Sequence, residues 1–194
     1  MGKYKELTDF EVMQKIARYD SRALEELYER YSDVVYTLVK KIAPSQTAAD
    51  ELLVDIFAAI WKKVEKFDFE TGNVFTWVVT FARNRAVDSL RRSRNSKYTQ
   101  GDYDDEYENF FILPTLARDI DTLDIKTAKR VKEKVERALA KLTDAQKYVV
   151  HLSYYDGYTL DEIADKLNIP VETVRSKVLT AMHSLRDNLL QGQE

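Results

Sequence analysis

The stretch TLDEIADKLNIPVETVRSK, Thr159 to Lys177, constrains this chain more than any other, because it spells two short helices around a tight turn. Thr159 and Glu162 have the T-x-x-E spacing of a capping box, in which two side chains satisfy amides left open at a helix start. Leu160, Ile163, Ala164 and Leu167 recur at helical spacing, so one face is apolar and must be covered. Asn168 to Pro170 interrupts the pattern, and Val171, Val174, Val178, Ala181 and Leu185 restart it. Between those valines lie Glu172, Thr173, Arg175, Ser176 and Lys177, polar groups at the start of the second helix. A helix-turn-helix offers side chains to a DNA major groove in this way. An ordinary helical hairpin with a solvated face has the same spacing, so the rest of the chain must decide between them.

Every glycine and proline falls between or beyond apolar-periodic segments, and no run alternates convincingly enough for a strand. The reading is all-α: two small helical domains joined by an extended acidic linker, the C-terminal one carrying the helix-turn-helix. Residues 1–95 form the first body. Thr8 and Glu11 cap a short helix to about Arg18, and Asp20 caps a long one from Ser21 to Ala43. Ala23, Leu24, Leu27, Tyr31, Val34, Val35, Leu38 and Ile42 lie on its buried face. Further helices are predicted over about Thr47–Lys66 and Asn73–Arg94. Residues 96–122 lose all periodicity and are acidic and tyrosine-rich, as a linker would be. Residues 123–194 form the second body, with a helix over Lys126–Leu142 and a Thr143–Gln146 capping box. The next helix ends at Tyr155, and an Asp156-Gly157 turn leads into the helix-turn-helix.

Net charge is −3, which argues against a nucleic-acid partner until it is divided by segment. Residues 1–97 hold 17 basic and 15 acidic side chains, residues 98–125 hold 1 and 8, and residues 126–194 hold 12 and 10. The acidity is confined to the middle, and residues 83–97 set six basic groups against Asp88 alone. Such a stripe suits phosphate contact, although a solvated basic face has the same composition. Without cysteine there are no disulfides or thiolate metal sites, which fits a reducing cytoplasm. No segment has the length and apolarity of a signal peptide or membrane span.

With both bodies laid out, the chain resembles a bacterial sigma factor of the extracytoplasmic-function group, the minimal branch of the sigma-70 family. Ala23 to Ile42, Ala49 to Asp68 and Val74 to Arg92 look like the family's conserved region two, and Leu142 to Arg186 looks like region four. Both regions in this order, joined by a short acidic linker with no third folded region, mark the group. The resemblance implies an initiation subunit that binds core RNA polymerase, recognises the −35 and −10 elements of promoter DNA and opens the duplex by capturing a flipped −10 base. It also implies an inhibitory anti-sigma partner, often membrane-tethered, for a protein that works in the cytoplasm. No cofactor is implied.

By the same resemblance, Asp50, Glu51, Asp55 and Phe57 bind the polymerase, with Phe57 and Trp61 also readable as core. Val54 stands where relatives often have glutamine. Phe67, Asn73, Phe75 and Asn84 would line the −10 base pocket, and Asn84 offers both donor and acceptor. Trp77 and Phe81 read as core. Arg83, Arg85, Arg91, Arg92 and Arg94 would grip phosphates, which gives affinity without sequence choice. Thr173, Arg175, Ser176 and Lys177 would read the −35 element, joined by Thr180 and His183; Thr180 replaces a basic residue common in relatives, which implies a weaker phosphate grip. In the linker, Asp102, Asp104, Asp105, Glu106 and Glu108 would mimic phosphates in the polymerase cleft, with apolar contact from Tyr103, Tyr107, Phe110 and Phe111. A plain tether fits that segment as well.

An enzyme needs a reactive constellation, and the two histidines, His151 and His183, stand in no metal or nucleophile motif. Glu25 and Glu29 have di-metal spacing without the matching histidines and read as solvated. A helix-turn-helix regulator acting without polymerase would account for the second body alone. A module that only sequesters partner proteins is a third reading.

Overall fold

The computed structural model describes the backbone of residues 2–94 and 125–190, with side chains over 4–94 and 133–188. The chain divides into two units, Met1–Ser96 and Lys97–Glu194. Among the described residues every regular element is helical. The linker residues Asp102 to Phe111 lie outside the described residues.

In the first unit, α1 (Gly2–Lys5) and α2 (Asp9–Ile16) precede α3 (Ser21–Ile42), α4 (Gln46–Lys63), a 3₁₀ turn (Val64–Lys66) and α5 (Val74–Arg94). The starts follow local chemistry. Thr8 and Glu11 form the full capping box of α2, Asp20 accepts from the amides of Arg22 and Ala23 at the head of α3, and Ser45 caps α4. The long helix α3 packs against α1, α2, α4 and α5, so it is the axis of the unit. Leu27, Tyr31, Val35 and Val39, four residues apart, form its buried stripe. Val34, assigned to the buried face by its spacing, is 42% exposed, because it lies about 100° around the helix from Val35. The helix α1 carries no sequence signal, being shorter than two turns.

A polar clamp holds α1 and α2 to this axis. Arg30 donates through Nε to Glu26 (2.7 Å), through Nη1 to Asp9 (2.7 Å) and the Leu7 carbonyl (2.9 Å), and through Nη2 to the Tyr4 carbonyl (2.9 Å). Tyr31 donates to the other Asp9 oxygen at 2.5 Å. Burial, then the Asp9 charge, drives the Tyr31 hydroxyl far above its ordinary range, so it stays a donor.

In the second unit, α6 (Ile125–Ala140), α7 (Asp144–Tyr154), α8 (Leu160–Leu167) and α9 (Val171–Leu190) complete the described chain. Both capping boxes, Thr143 with Gln146 and Thr159 with Glu162, are formed. Asn168 adopts the left-handed conformation (φ 53°, ψ 48°) that reverses the chain between α8 and α9. Asparagine tolerates that geometry better than most residues. Val149 and Leu152 of α7, Ile163 and Ala164 of α8, and Val174 and Val178 of α9 form one core. Leu185 of α9 closes a second with Ala138 and Leu142.

Candidate nucleic-acid interfaces

The start of α5 is built from a carboxylate turn. Asp68 accepts from the amides of Glu70 (2.8 Å) and Thr71 (3.2 Å) and from the Thr71 hydroxyl (2.5 Å). These bonds, the Thr71 hydroxyl first, hold the carboxyl below its usual range. Gly72 then passes so close that a Cβ would stand 2.3 Å from the Asp68 carbonyl and 2.8 Å from the Phe67 ring. Asn73 accepts from the Thr76 amide at 2.9 Å and so caps α5.

Behind this turn lies an aromatic cluster. Phe67 is 3% exposed and meets Phe10 at 6.3 Å, Phe69 at 4.9 Å and Trp77 at 5.8 Å, all edge-on. Phe67 is therefore a core residue, not the exposed surface that receiving a base would need. Trp77 and Phe81, expected in the core, are half-buried and stacked, with centroids 5.2 Å apart and planes at 23°. Helical rotation puts Trp77, Phe81 and Asn84 on one face: Asn84 lies about 20° short of two full turns from Trp77 and about 60° short of one turn from Phe81. The signal is present as i, i+4, i+7 spacing, but rings at that spacing read equally well as core.

Phe75 is half a rotation from Asn84, so these two cannot line one pocket. Its ring lies 6.2 Å from that of Tyr31 in α3. Arg83 also needs correction. At 1% exposure it is the largest fully buried side chain among the described residues, not the surface cation that a phosphate grip implies; its Nη1 donates to Asn84 Oδ1 at 3.2 Å. Arg85 and Arg91 are half-buried, while Arg92 and Arg94 are exposed in the last turn of α5. Cations at a helix C-terminus also suit its dipole.

On α4, Asp50, Glu51 and Asp55 are exposed around Val54, itself 65% exposed. Asp50 is oriented by the Tyr36 hydroxyl (2.8 Å) and the Gln46 amide (3.1 Å). That hydrogen bond to Asp50 raises the Tyr36 hydroxyl above its ordinary value. Phe57 is 5% exposed beneath Tyr28, whose ring meets it at 4.8 Å. It belongs to the core, the reading that its spacing also allowed, and not to the exposed surface of α4. Trp61 is half-buried, 5.9 Å from Tyr19.

On α9, Thr173, Ser176, Lys177, Thr180 and His183 are all exposed and fall on one stripe at i, i+3, i+4, i+7 spacing. The Thr180 hydroxyl donates to the Ser176 carbonyl at 2.8 Å, which commits its proton to the helix. Arg175 lies about 100° from Ser176. It is half-buried, with Nε 3.8 Å from the Glu172 carboxylate. The stripe is therefore short, polar and flanked by a guanidinium. No helix among the described residues is long and apolar enough to cross a membrane.

Residues 27–96 match the family model described as Sigma-70 region 2, and residues 138–187 match Sigma-70, region 4. The chain is 27% identical over 184 residues to the ECF RNA polymerase sigma factor RpoE of Cereibacter sphaeroides, covering 94% of this chain and 96% of that protein. It is 27% identical over 183 residues to the ECF RNA polymerase sigma factor SigK of Mycobacterium tuberculosis, covering 92% and 91%. Among solved structures it is similar to Rhodobacter sphaeroides SigE in complex with the anti-sigma ChrR (26% identity, TM-score 0.45, 93% and 97% covered). It is also similar to CnrH in complex with the cytosolic domain of CnrY (19% identity, TM-score 0.39, 96% and 99% covered).

Proposed function

We propose, from the premise that this chain belongs to the sigma-70 family in its extracytoplasmic-function group, a two-handed promoter reader that acts on core RNA polymerase. The chain is an alternative sigma factor. Its two units divide the work between the two promoter elements.

The observation that carries the reading is the face of α5 that holds the stacked pair Trp77 and Phe81, with Asn84 about one turn beyond Phe81. Extruding a base from duplex DNA costs a few kcal/mol. Stacking it on an aromatic surface returns about 1–3 kcal/mol. The two nearly balance, so binding energy alone can hold a promoter open. A base laid against the outer face of the aromatic pair meets Asn84 with its edge. Asn73 fixes the start of the helix, and Arg85, Arg91 and Arg92 supply charge for the backbone.

In the second unit the stripe Thr173, Ser176, Lys177, Thr180 and His183 faces the −35 major groove, with Arg175 at its flank. The exposed acidic strip Asp50, Glu51 and Asp55 around Val54 meets a basic polymerase surface. Membership of this group brings an inhibitory anti-sigma factor as a further partner. Such a partner, when membrane-bound, would hold this protein at the inner membrane face. The domains take the bounds 1–95 and 123–194, with 96–122 as linker.

Run-off transcription with sigma-free core polymerase on a promoter library tests the whole reading. Start-site selection that depends on this chain is the expected result. Duplex binding without polymerase, and no transcript, would favour the helix-turn-helix regulator instead.

A further inference from the structure

We propose that Phe10 of α2 is a positioning residue for the −10 site: its ring braces the turn that leads into α5 and, through Phe67, sets the orientation of Trp77. This rests on the reading of the Trp77 and Phe81 face as the surface that receives a base. The helix that carries Phe10 lies ahead of residues 27–96, the segment matched to region 2. It is nonetheless locked to that segment twice over. Val12, Met13 and Ile16, none more than 1% exposed, seat α2 in the core against α3. Asp9, the residue before Phe10, takes Arg30 of α3 on one oxygen at 2.7 Å and the Tyr31 hydroxyl on the other at 2.5 Å. Apolar packing and a charged clamp together stop α2 from sliding on α3, so Phe10 is carried on a fixed support.

The turn from Phe67 to Asn73 contains no helix or strand, so side chains must fix its shape. Asp68 does this from within the turn. Phe10 does it from outside, meeting Phe67 at 6.3 Å and Phe69 at 6.1 Å with ring planes at 61° and 71°. Phe67 then meets Trp77 at 5.8 Å and 75°. The contact of Trp77 with Phe81 lies within one helix, whereas the contact with Phe67 ties it to the turn and, through Phe10, to α2. Edge-on pairs are directional, because the positive rim of one ring points at the negative face of the next. An aliphatic side chain fills the same space without that preference. Phe10 therefore acts on the orientation of the platform without touching DNA.

The test uses the full chain assembled with sigma-free core polymerase and a labelled single-stranded −10 oligonucleotide. Phe10→Leu keeps an apolar side chain in place and removes the ring. A platform without its brace is competent for only part of the time, and apparent affinity falls by that fraction. Oligonucleotide binding should weaken about 2- to 10-fold, the scale of a lost edge-on contact, with core affinity unchanged. Phe10→Tyr keeps the ring and should bind as wild type. In a Trp61→Phe background Trp77 is the sole tryptophan, and Phe10→Leu should open its emission to acrylamide quenching. Wild-type oligonucleotide affinity in Phe10→Leu would overturn the proposal. So would weakened binding with Trp77 quenching unchanged. Parallel loss of oligonucleotide and core binding that tracks the unfolded fraction would mark a structural role only and overturn it too. Phe81→Ala checks the underlying reading: wild-type binding by this variant removes the platform itself. Weakened binding by Phe81→Ala beside wild-type binding by Phe10→Leu overturns the positioning role alone. If Phe10→Leu does not fold, Phe10→Met, a more adaptable side chain, takes its place with the same outcomes.

Discussion

Trp77 and Phe81 stack one helical turn apart, with ring centroids separated by 5.2 Å, and Phe67 braces Trp77 edge-on from the core at 5.8 Å. Edge-on and offset ring pairs each contribute about 0.5–1.5 kcal/mol beyond the area they bury. The half-buried pair is therefore a stiff platform, anchored through Phe67 to Phe69 and Phe10. A platform that does not rearrange on binding spends less of its stacking energy on ordering.

Phe81→Ala should weaken binding of a single-stranded −10 oligonucleotide to the assembled holoenzyme by about 5- to 150-fold, the equivalent of 1–3 kcal/mol for one stacked base. Fluorescence anisotropy measures it, with core affinity followed in parallel. Unchanged oligonucleotide binding by Phe81→Ala would remove the platform from the mechanism.

Gly72→Ala should destabilise the first unit by about 1–3 kcal/mol, as overpacking does. The added methyl would meet the Asp68 carbonyl at 2.3 Å and the Phe67 ring at 2.8 Å, and backbone cannot step aside as a flexible side chain can. Urea unfolding checks this. Because Phe67 carries Trp77, the same variant should also lose oligonucleotide affinity.

The capping boxes at Thr8, Thr143 and Thr159 and the cap at Asp20 were legible in sequence because a helix start is a local matter of one side chain and two amides. The exposed stripe of α9 was legible for the same reason: Val174, Val178 and Ala181 fix the inner face, which leaves Thr173, Ser176, Lys177 and Thr180 outside. The packing around α5 was not. An arginine in a basic run reads as a surface cation, yet Arg83 is buried by packing that only the tertiary fold supplies. Phe75 and Asn84 are close in sequence, but half a rotation separates them. Phe67 is buried and Trp77 half-buried, the reverse of the burial expected, because burial depends on what α2 places against the cluster, and Phe10 comes from that distant element.

Tyr4→Phe should lower stability at neutral pH, with the deficit shrinking in acid. The Tyr4 hydroxyl donates to Asp20 at 2.8 Å and is the main cause holding that carboxyl below its ordinary value of 3.8; the amides of Ala23 and Arg22 add to it. A depressed folded-state pKa stabilises the fold above the ordinary value and ceases to do so as pH falls through the folded one. The gap between wild type and Tyr4→Phe is therefore full near pH 7 and narrows below about pH 3.8. Parallel urea titrations at pH 7 and pH 3 would show it, and a gap that is independent of pH would exclude the Asp20 linkage.

Charge reversal on α4 should separate binding from folding. Asp55 and Glu51 are exposed beside Val54, so Asp55→Lys removes nothing from the core, and its stability should stay within about 0.5 kcal/mol of wild type. Against a basic polymerase surface the same change replaces attraction with repulsion. Core affinity should fall about tenfold or more at low ionic strength, and less at high salt, where rim charges are screened. Phe57→Ala makes the opposite pattern: a ring 5% exposed beneath Tyr28 leaves a cavity that costs about 3–5 kcal/mol, and any loss of polymerase binding should track the unfolded fraction. Competition binding to core polymerase, read beside urea unfolding, distinguishes the two. If Asp55→Lys bound core as tightly as wild type across the salt range, the acidic strip would be a solvated face and the docking surface would lie elsewhere.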